Sequence, residues 1–213
     1  MTSDNAGTFF SEIEKGKISA LVKNAERETS GEIAVMVVDA SDSYREAGFL
    51  GALLLSAFIS LVCAVSLHLV TIWSYIPAVM IFWFPALYLM RCFPRFKLAL
   101  AGRTRLEEAV RDRAVRAFFE KELYRTREET GVLIFISTLE HKVWILGDRR
   151  INEQIGPELW QELSGALAAK ISEDQAFEGM RIAIDRLSAI LKKHFPPAAD
   201  DSNELPDEVI VAE

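Results

Sequence analysis

The chain has 213 residues, a formal net charge of -7 and a hydrophobic content of 50%. That length accommodates one domain, or one domain with a membrane element. Net acidity excludes a general nucleic-acid binder, which shows a basic face or stripe.

The charge is unevenly spread. From Ala47 to Met90 there is no Asp, Glu, Lys or Arg, so the flanks carry every charge. Taken in chain order, Ser11 to Thr29 has helical spacing, with Ile18, Leu21, Val22 and Ala25 on one face. Ser30-Gly31 is expected to end that helix, the glycine supplying a left-handed cap. Glu32 to Val38 is a short run with almost no polar residue, as expected of a strand buried on both faces.

The charge-free block follows. One pass of a bilayer needs about 20 apolar residues, and this run is long enough for two. The first pass is placed at Phe49 to Leu69 and the second at Tyr75 to Arg91. Thr71, Trp73, Ser74 and Tyr75 have the turn and aromatic-belt character of an interface. The run begins too far along the chain, and is too long, for a signal peptide. Arg45 precedes it and Arg91, Arg95, Lys97, Arg103 and Arg105 follow it, while the inter-helix turn carries no Lys or Arg. The positive-inside rule then puts both flanks and both termini on the cytoplasmic side of an inner membrane. The basic cluster is also suited to anionic head groups. Pro77 and Pro85 read as structural, and His68 as a wetted end residue, because the block holds no carboxylate or cation that would mark a transport path. Cys63 falls in mid-span and Cys92 at its edge, so no disulfide is expected between them; palmitoylation of Cys92 is the minority alternative.

After the hairpin, Thr104-Arg105-Leu106-Glu107 has the pattern of a capping box. A helix is expected from there to about Tyr124, with Leu106, Val110, Ala114, Ala117 and Phe118 inward. Val132 to Ser137 and Lys142 to Gly147 read as a β-hairpin turning at Thr138 to His141. Pro157 opens a helix carrying Trp160, Leu163 and Leu167. Ser172-Glu173-Asp174-Gln175 is a second capping-box pattern, ahead of a helix with Ala176, Met180, Ala183, Ile184, Leu187 and Leu191 inward. From Pro197 the chain is acidic without a basic residue and reads as disordered. The organisation is therefore residues 1–46 and 93–196 as two parts of one small α/β sandwich with a central mixed sheet, a transmembrane hairpin at 47–92, and an acidic tail at 197–213.

Candidate chemistry is sparse. His68, His141 and His194 are too scattered for a zinc site by spacing, and no phosphate-cradling glycine loop or nucleophile elbow is present. The best acidic set is Asp39 and Asp42 after the first strand with Glu140 in the β-hairpin turn. If the first two strands are parallel, these lie at the carboxyl end of the sheet, where α/β folds place ligands. Oxygen ligation of Mg²⁺ or Ca²⁺ is the sharp reading; ordinary loop carboxylates are the bland one. Asp148 leaves an antiparallel third strand at the opposite end, so one site does not use them all.

Several segments together resemble the TPM domain, a family named for a thylakoid lumen protein, a photosystem repair factor and an acetylcholine-receptor modulator. They are Thr29-Ser30-Gly31-Glu32-Ile33, Glu129 to Ser137, Val143 to Asp148, Phe177-Glu178-Gly179 with Ala183-Ile184, and His194-Phe195-Pro196. The resemblance implies an α/β sandwich, and some members bind calcium, act as weak acid phosphatases or serve in membrane-protein repair. Exported members commonly carry Asn-Gly at the strand opening and a Gly-rich turn after the third strand. Here Thr130-Gly131 and Asp148-Arg149-Arg150 stand instead, and no signal peptide is expected. The two arginines weigh against carrying over the cation site. The expected role is a membrane-anchored, non-enzymatic interaction or assembly factor whose partners are the bilayer and other membrane proteins. A divalent-metal phosphatase is the alternative, and a small transporter subunit a third class.

Overall fold

The structure is a computed structural model describing residues 5–68, 71–197, 205 and 208–212. In chain order its elements are α1 (Ala6–Phe9), α2 (Glu12–Glu26), β1 (Glu32–Val38), α3 (Arg45–Ser66), α4 (Ile72–Cys92), α5 (Pro94–Ala101) and α6 (Arg103–Glu120). They continue with β2 (Gly131–Ser137), β3 (Lys142–Gly147), α7 (Arg149–Gln154), α8 (Pro157–Ser172), α9 (Ala176–His194) and β4 (Ile210–Ala212). The chain divides into two compact units, Met1–Asp42 with Glu107–Glu213, and Ser43–Leu106.

The first unit is built on a mixed sheet of strand order β3-β2-β1-β4. β1 and β2 run parallel, pairing Glu32 with Gly131 through Val38 with Ser137, and β3 returns antiparallel to β2. Every residue of β1 and β2 is buried, the reason both runs lack alternation. Their side chains still alternate between two cores. Ile33, Val35, Val37, Val132, Ile134 and Ile136 face α2, α8 and α9. Ala34, Met36, Val38, Leu133 and Phe135 face Val110, Ala114, Ala117 and Phe118 of α6. A pleated strand sends successive side chains to opposite faces, so two short apolar runs supply both cores of an α/β sandwich.

Several local expectations need correction. α2 begins with a true capping box, Ser11 against Glu14, and ends at Arg27 with an ordinary right-handed backbone. Gly31 has no left-handed backbone; a Cβ there would stand 3.0 Å from Leu191 Cδ1, so it is a close-approach glycine. Thr104 lies inside α6, where Ala109 is buried and Leu106 only half-buried. Ser172 closes α8 instead of capping α9, whose N-cap is Gln175 without a side-chain bond. Asp148 caps a helix not anticipated, α7, its carboxylate accepting from the Arg149 N–H at 2.7 Å. The tail expected to be disordered supplies β4, parallel to β1 from Met36–Ile210 to Val38–Ala212. Leu205 is buried and donates its N–H to Glu32 Oε2 at 3.2 Å. This short apolar strand covers the carboxyl-terminal part of the outer edge of β1, from Met36 to Val38.

The second unit holds the two apolar helices, which interrupt the sandwich after its first strand. Ala52 of α3 clusters with Ala86 and Met90 of α4, and Leu55, Trp83 and Leu87 pack against that cluster. The buried face of α3 includes Gly48, Ala52, Ser56, Ser60 and Ala64, one residue in every four. Small residues on one ridge let two helix backbones approach closely, the usual device of helix pairs in lipid. α4 continues through Pro77 and Pro85, and it begins ahead of the expected Tyr75, taking in Trp73 and Ser74 of the expected turn. Leu69 lies outside the described residues. Both helices are long and apolar enough to cross a membrane, with mean hydropathies of 2.4 and 1.6.

Candidate functional site

The carboxyl end of β1 and β2 gathers the predicted carboxylates and then occupies them with protein donors. Asp39 accepts the N–H of Ala6 at 2.5 Å, and its carbonyl accepts from the Leu139 N–H at 2.9 Å. Glu140 is 7% exposed, with one carboxylate oxygen accepting from the Ser41 N–H at 3.0 Å and the other from the Ser137 hydroxyl. Ser41 in turn donates its hydroxyl to Ser137 at 2.9 Å. Asp42 lies half-buried on the same loop. Asp39 and Glu140 thus spend part of their acceptor capacity on protein donors, where a hard cation needs six or more oxygens. Among the described residues no group of three or more His, Cys, Asp or Glu is placed to hold a metal. Asp39, Asp42 and Glu140, the expected Mg²⁺ or Ca²⁺ set, share this end of the sheet without forming such a group. The sequence missed Ser41 and Ser137, which meet the carboxylate only because parallel pairing brings the two strand ends together.

The amino end explains most of the segments that carry the family resemblance. Thr29 donates its hydroxyl to the Phe195 carbonyl at 2.6 Å, and the Ser30 N–H reaches the same oxygen at 3.1 Å. Thr130 donates to the Ser30 carbonyl at 2.7 Å. The Asp148 N–H bonds the Gly131 carbonyl at 2.8 Å. A Cβ on Gly131 would collide with the Leu123 carbonyl oxygen. Arg149 and Arg150 pair with Glu129 and Glu128, at 2.7 and 2.8 Å. These motifs lock strand starts to the end of α9, and they are structural.

A groove of about 480 Å³ follows the outer edge of β3. Trp144 and Leu146 of β3 line it with Val110 of α6 on one side and Trp160, Gly165 and Ala168 of α8 on the other. The Trp160 indole N–H is held by Asn152 Oδ1 at 3.0 Å, and Asn152 donates to the Gly147 carbonyl at 2.5 Å, so the ring is fixed as a wall. A Cβ at Gly165 would meet nothing within 4 Å, which leaves the α8 wall open. β3 ends the sheet, and an edge strand presents unpaired main-chain donors and acceptors to whatever lies beside it.

Charge elsewhere is arranged in surface pairs. Glu178 accepts two bonds from Arg181, at 2.6 and 3.0 Å, and this hydrogen bonding holds its carboxyl below the usual range. The Glu122 hydrogen bond raises the Arg125 guanidinium in the same way. His68, His141 and His194 lie at a helix end, in the β-hairpin turn and in the last turn of α9.

Of the residues expected at the membrane, Phe49 and Trp73 are exposed, Trp73 at 88%, and the Tyr75 hydroxyl donates to the Ala57 carbonyl at 3.2 Å. Arg91 stands in the last turn of α4, where a cation complements the helix dipole. Arg95 and Lys97 lie on α5, and Arg103 and Arg105 open α6.

The first unit thus defines an α/β sandwich with a mixed sheet. Residues 100–190 match the family model described as the TPM domain and named TPM phosphatase. The match spans α6 through most of α9; β1 and the apolar helices lie outside it. No curated protein sequence matches the chain. The fold is similar to the NMR structure of BA42 protein from the psychrophilic bacterium Bizionia argentinensis, at 19% identity and a TM-score of 0.60, covering 96% of each chain.

Proposed function

We propose that this protein is a two-pass, membrane-anchored TPM-domain protein whose sandwich faces the cytoplasm and docks other membrane proteins. The observation that carries the anchored half is the character of α3 and α4. Only 28% and 6% of their most apolar windows are buried, and Leu54, Phe58, Ile81 and Phe84 lie more than half exposed. The core helix of a soluble domain buries such side chains; a helix facing lipid leaves them outward. Cytoplasmic sidedness follows from the basic residues on both flanks and their absence between the helices.

The docking half rests on the β3 edge. Its open strand, flanked by Trp144 and Trp160, suits an extended segment of a partner added as a further strand. A photo-cross-linking amino acid at Gln161, on the groove wall, tests this in native membranes. The expected result is an adduct with another membrane protein that disappears when Gly165→Arg fills the groove. Absence of any adduct, or one indifferent to Gly165→Arg, contradicts the docking reading.

A hydrolytic reading is favoured by one observation, the name of the matching family model. It places chemistry on Asp39 and Asp42. Hydrolysis of a generic phosphate ester with Mg²⁺ or Ca²⁺, abolished by Asp39→Asn or Asp42→Asn, would replace the docking reading with that one.

A further inference from the structure

The hairpin unit contains a cavity that the anchored reading alone does not require. About 410 Å³ in volume, it lies where the charge-free helices give way to their charged flank. Three cations from three elements line it: Arg45 at the start of α3, Arg91 in the last turn of α4 and Lys97 on α5. Its apolar lining includes Phe49, Leu87 and Met90. Of two glycines on α3, Gly48 lines the space and Gly51 lets the neighbouring helices close beside it. The aliphatic stem of Lys97 lies over Gly48, its Cε 3.5 Å from where a Cβ would stand. At Gly51 a Cβ would stand 2.7 Å from Leu100 Cδ1 and 3.0 Å from Met90 Sδ, so α4 and α5 both close on α3 there. The side chains of Arg45, Arg91 and Lys97 make no hydrogen bond or ion pair among the described residues. Glu46, the neighbouring carboxylate, is exposed and does not line the cavity.

Three cations of one sign held around one space repel each other, and among the described residues no carboxylate lines that space. An anion does. Arginine presents a planar fork matched to the oxygens of a phosphate. The apolar lining adds a second requirement, because a free inorganic anion gains nothing from Phe49, Leu87 and Met90. A ligand with a phosphate at one end and hydrocarbon at the other satisfies both, and basic pockets at the cytoplasmic ends of membrane helices suit lipid head groups. We infer that Arg45, Arg91 and Lys97 form a binding site for the phosphate of an anionic phospholipid, with its glycerol and upper chain against Phe49, Leu87 and Met90. The inference rests on the membrane-anchored reading.

The test uses full-length protein in detergent micelles, titrated separately with dioleoyl phosphatidylglycerol and dioleoyl phosphatidylcholine, with bound lipid counted by native mass spectrometry. Phosphatidylglycerol should be retained in preference, and the variant Arg45→Gln/Arg91→Gln/Lys97→Gln should lose about tenfold or more in its apparent affinity. Arg95→Gln/Arg103→Gln/Arg105→Gln removes the same charge from the same flank outside the cavity and should lose far less. Equal retention of the two lipids by the wild-type chain overturns the site whatever the variants do. So does an equal loss in both triple variants, which would make the attraction a diffuse one. Displacement by equimolar inorganic phosphate would assign the cavity to a soluble anion instead. A protein that stays in lipid but ignores the head group loses this inference alone, whereas recovery without detergent removes the anchored reading too.

Discussion

At the scale of single residues, the carboxyl end of the sheet is held by Glu140, with donors on both oxygens. Glu140→Gln turns one acceptor into a donor that faces the Ser41 N–H or the Ser137 hydroxyl. Leaving one buried partner unsatisfied costs about 1–3 kcal/mol. Thermal unfolding of the detergent-solubilised protein should therefore show a lower midpoint for Glu140→Gln than for an exposed control such as Glu153→Gln. Equal midpoints would mean that the cluster does not hold the loop. The Glu178–Arg181 pair makes a different prediction. The folded-state pKa of Glu178 lies below its unfolded value, so its contribution is complete above the unfolded pKa and is lost as pH falls through the folded one. Arg181→Met should return the Glu178 carboxyl to the ordinary glutamate range, followed by carbon NMR of that side chain. A titration unchanged by the substitution would assign the shift elsewhere.

At the scale of elements, the seam between α3 and α4 depends on side-chain size. Ala52 is fully buried between Ala86 and Met90, so Ala52→Leu should cost about 1–3 kcal/mol by overpacking. The Ser60 hydroxyl is buried without a partner among the described residues, so Ser60→Ala should be neutral or slightly stabilising. Unfolding midpoints of the two variants in micelles check both signs; a destabilising Ser60→Ala would show that its hydroxyl is used. The same seam shows where sequence reading stops. β1 and β2 were legible because an unbroken apolar run of strand length has few other fates. The helix faces of α2, α8 and α9 followed from their spacing. The Gly48-to-Ala64 ridge was not seen, since small residues barely alter hydropathy, although their spacing of four was there to be read. β4 was missed because three apolar residues carry less weight than the acidic stretch around them. Ser41 and Ser137 are 96 positions apart, and only the parallel pairing of β1 with β2 brings them into contact.

At the scale of the whole molecule, the two units carry their apolar residues differently. The sandwich keeps its apolar residues in two cores and pairs its surface charges, while α3 and α4 leave large apolar side chains outward. Water penalises an outward apolar helix surface, and hydrocarbon does not. The proposed anchor and head-group site both rest on that contrast. Alkaline carbonate extraction of cell membranes tests it most directly, because it releases peripheral proteins and leaves membrane-spanning ones in the pellet. The account predicts that the full-length chain stays in the pellet and is released only by detergent. Recovery of the chain in the carbonate supernatant would contradict it.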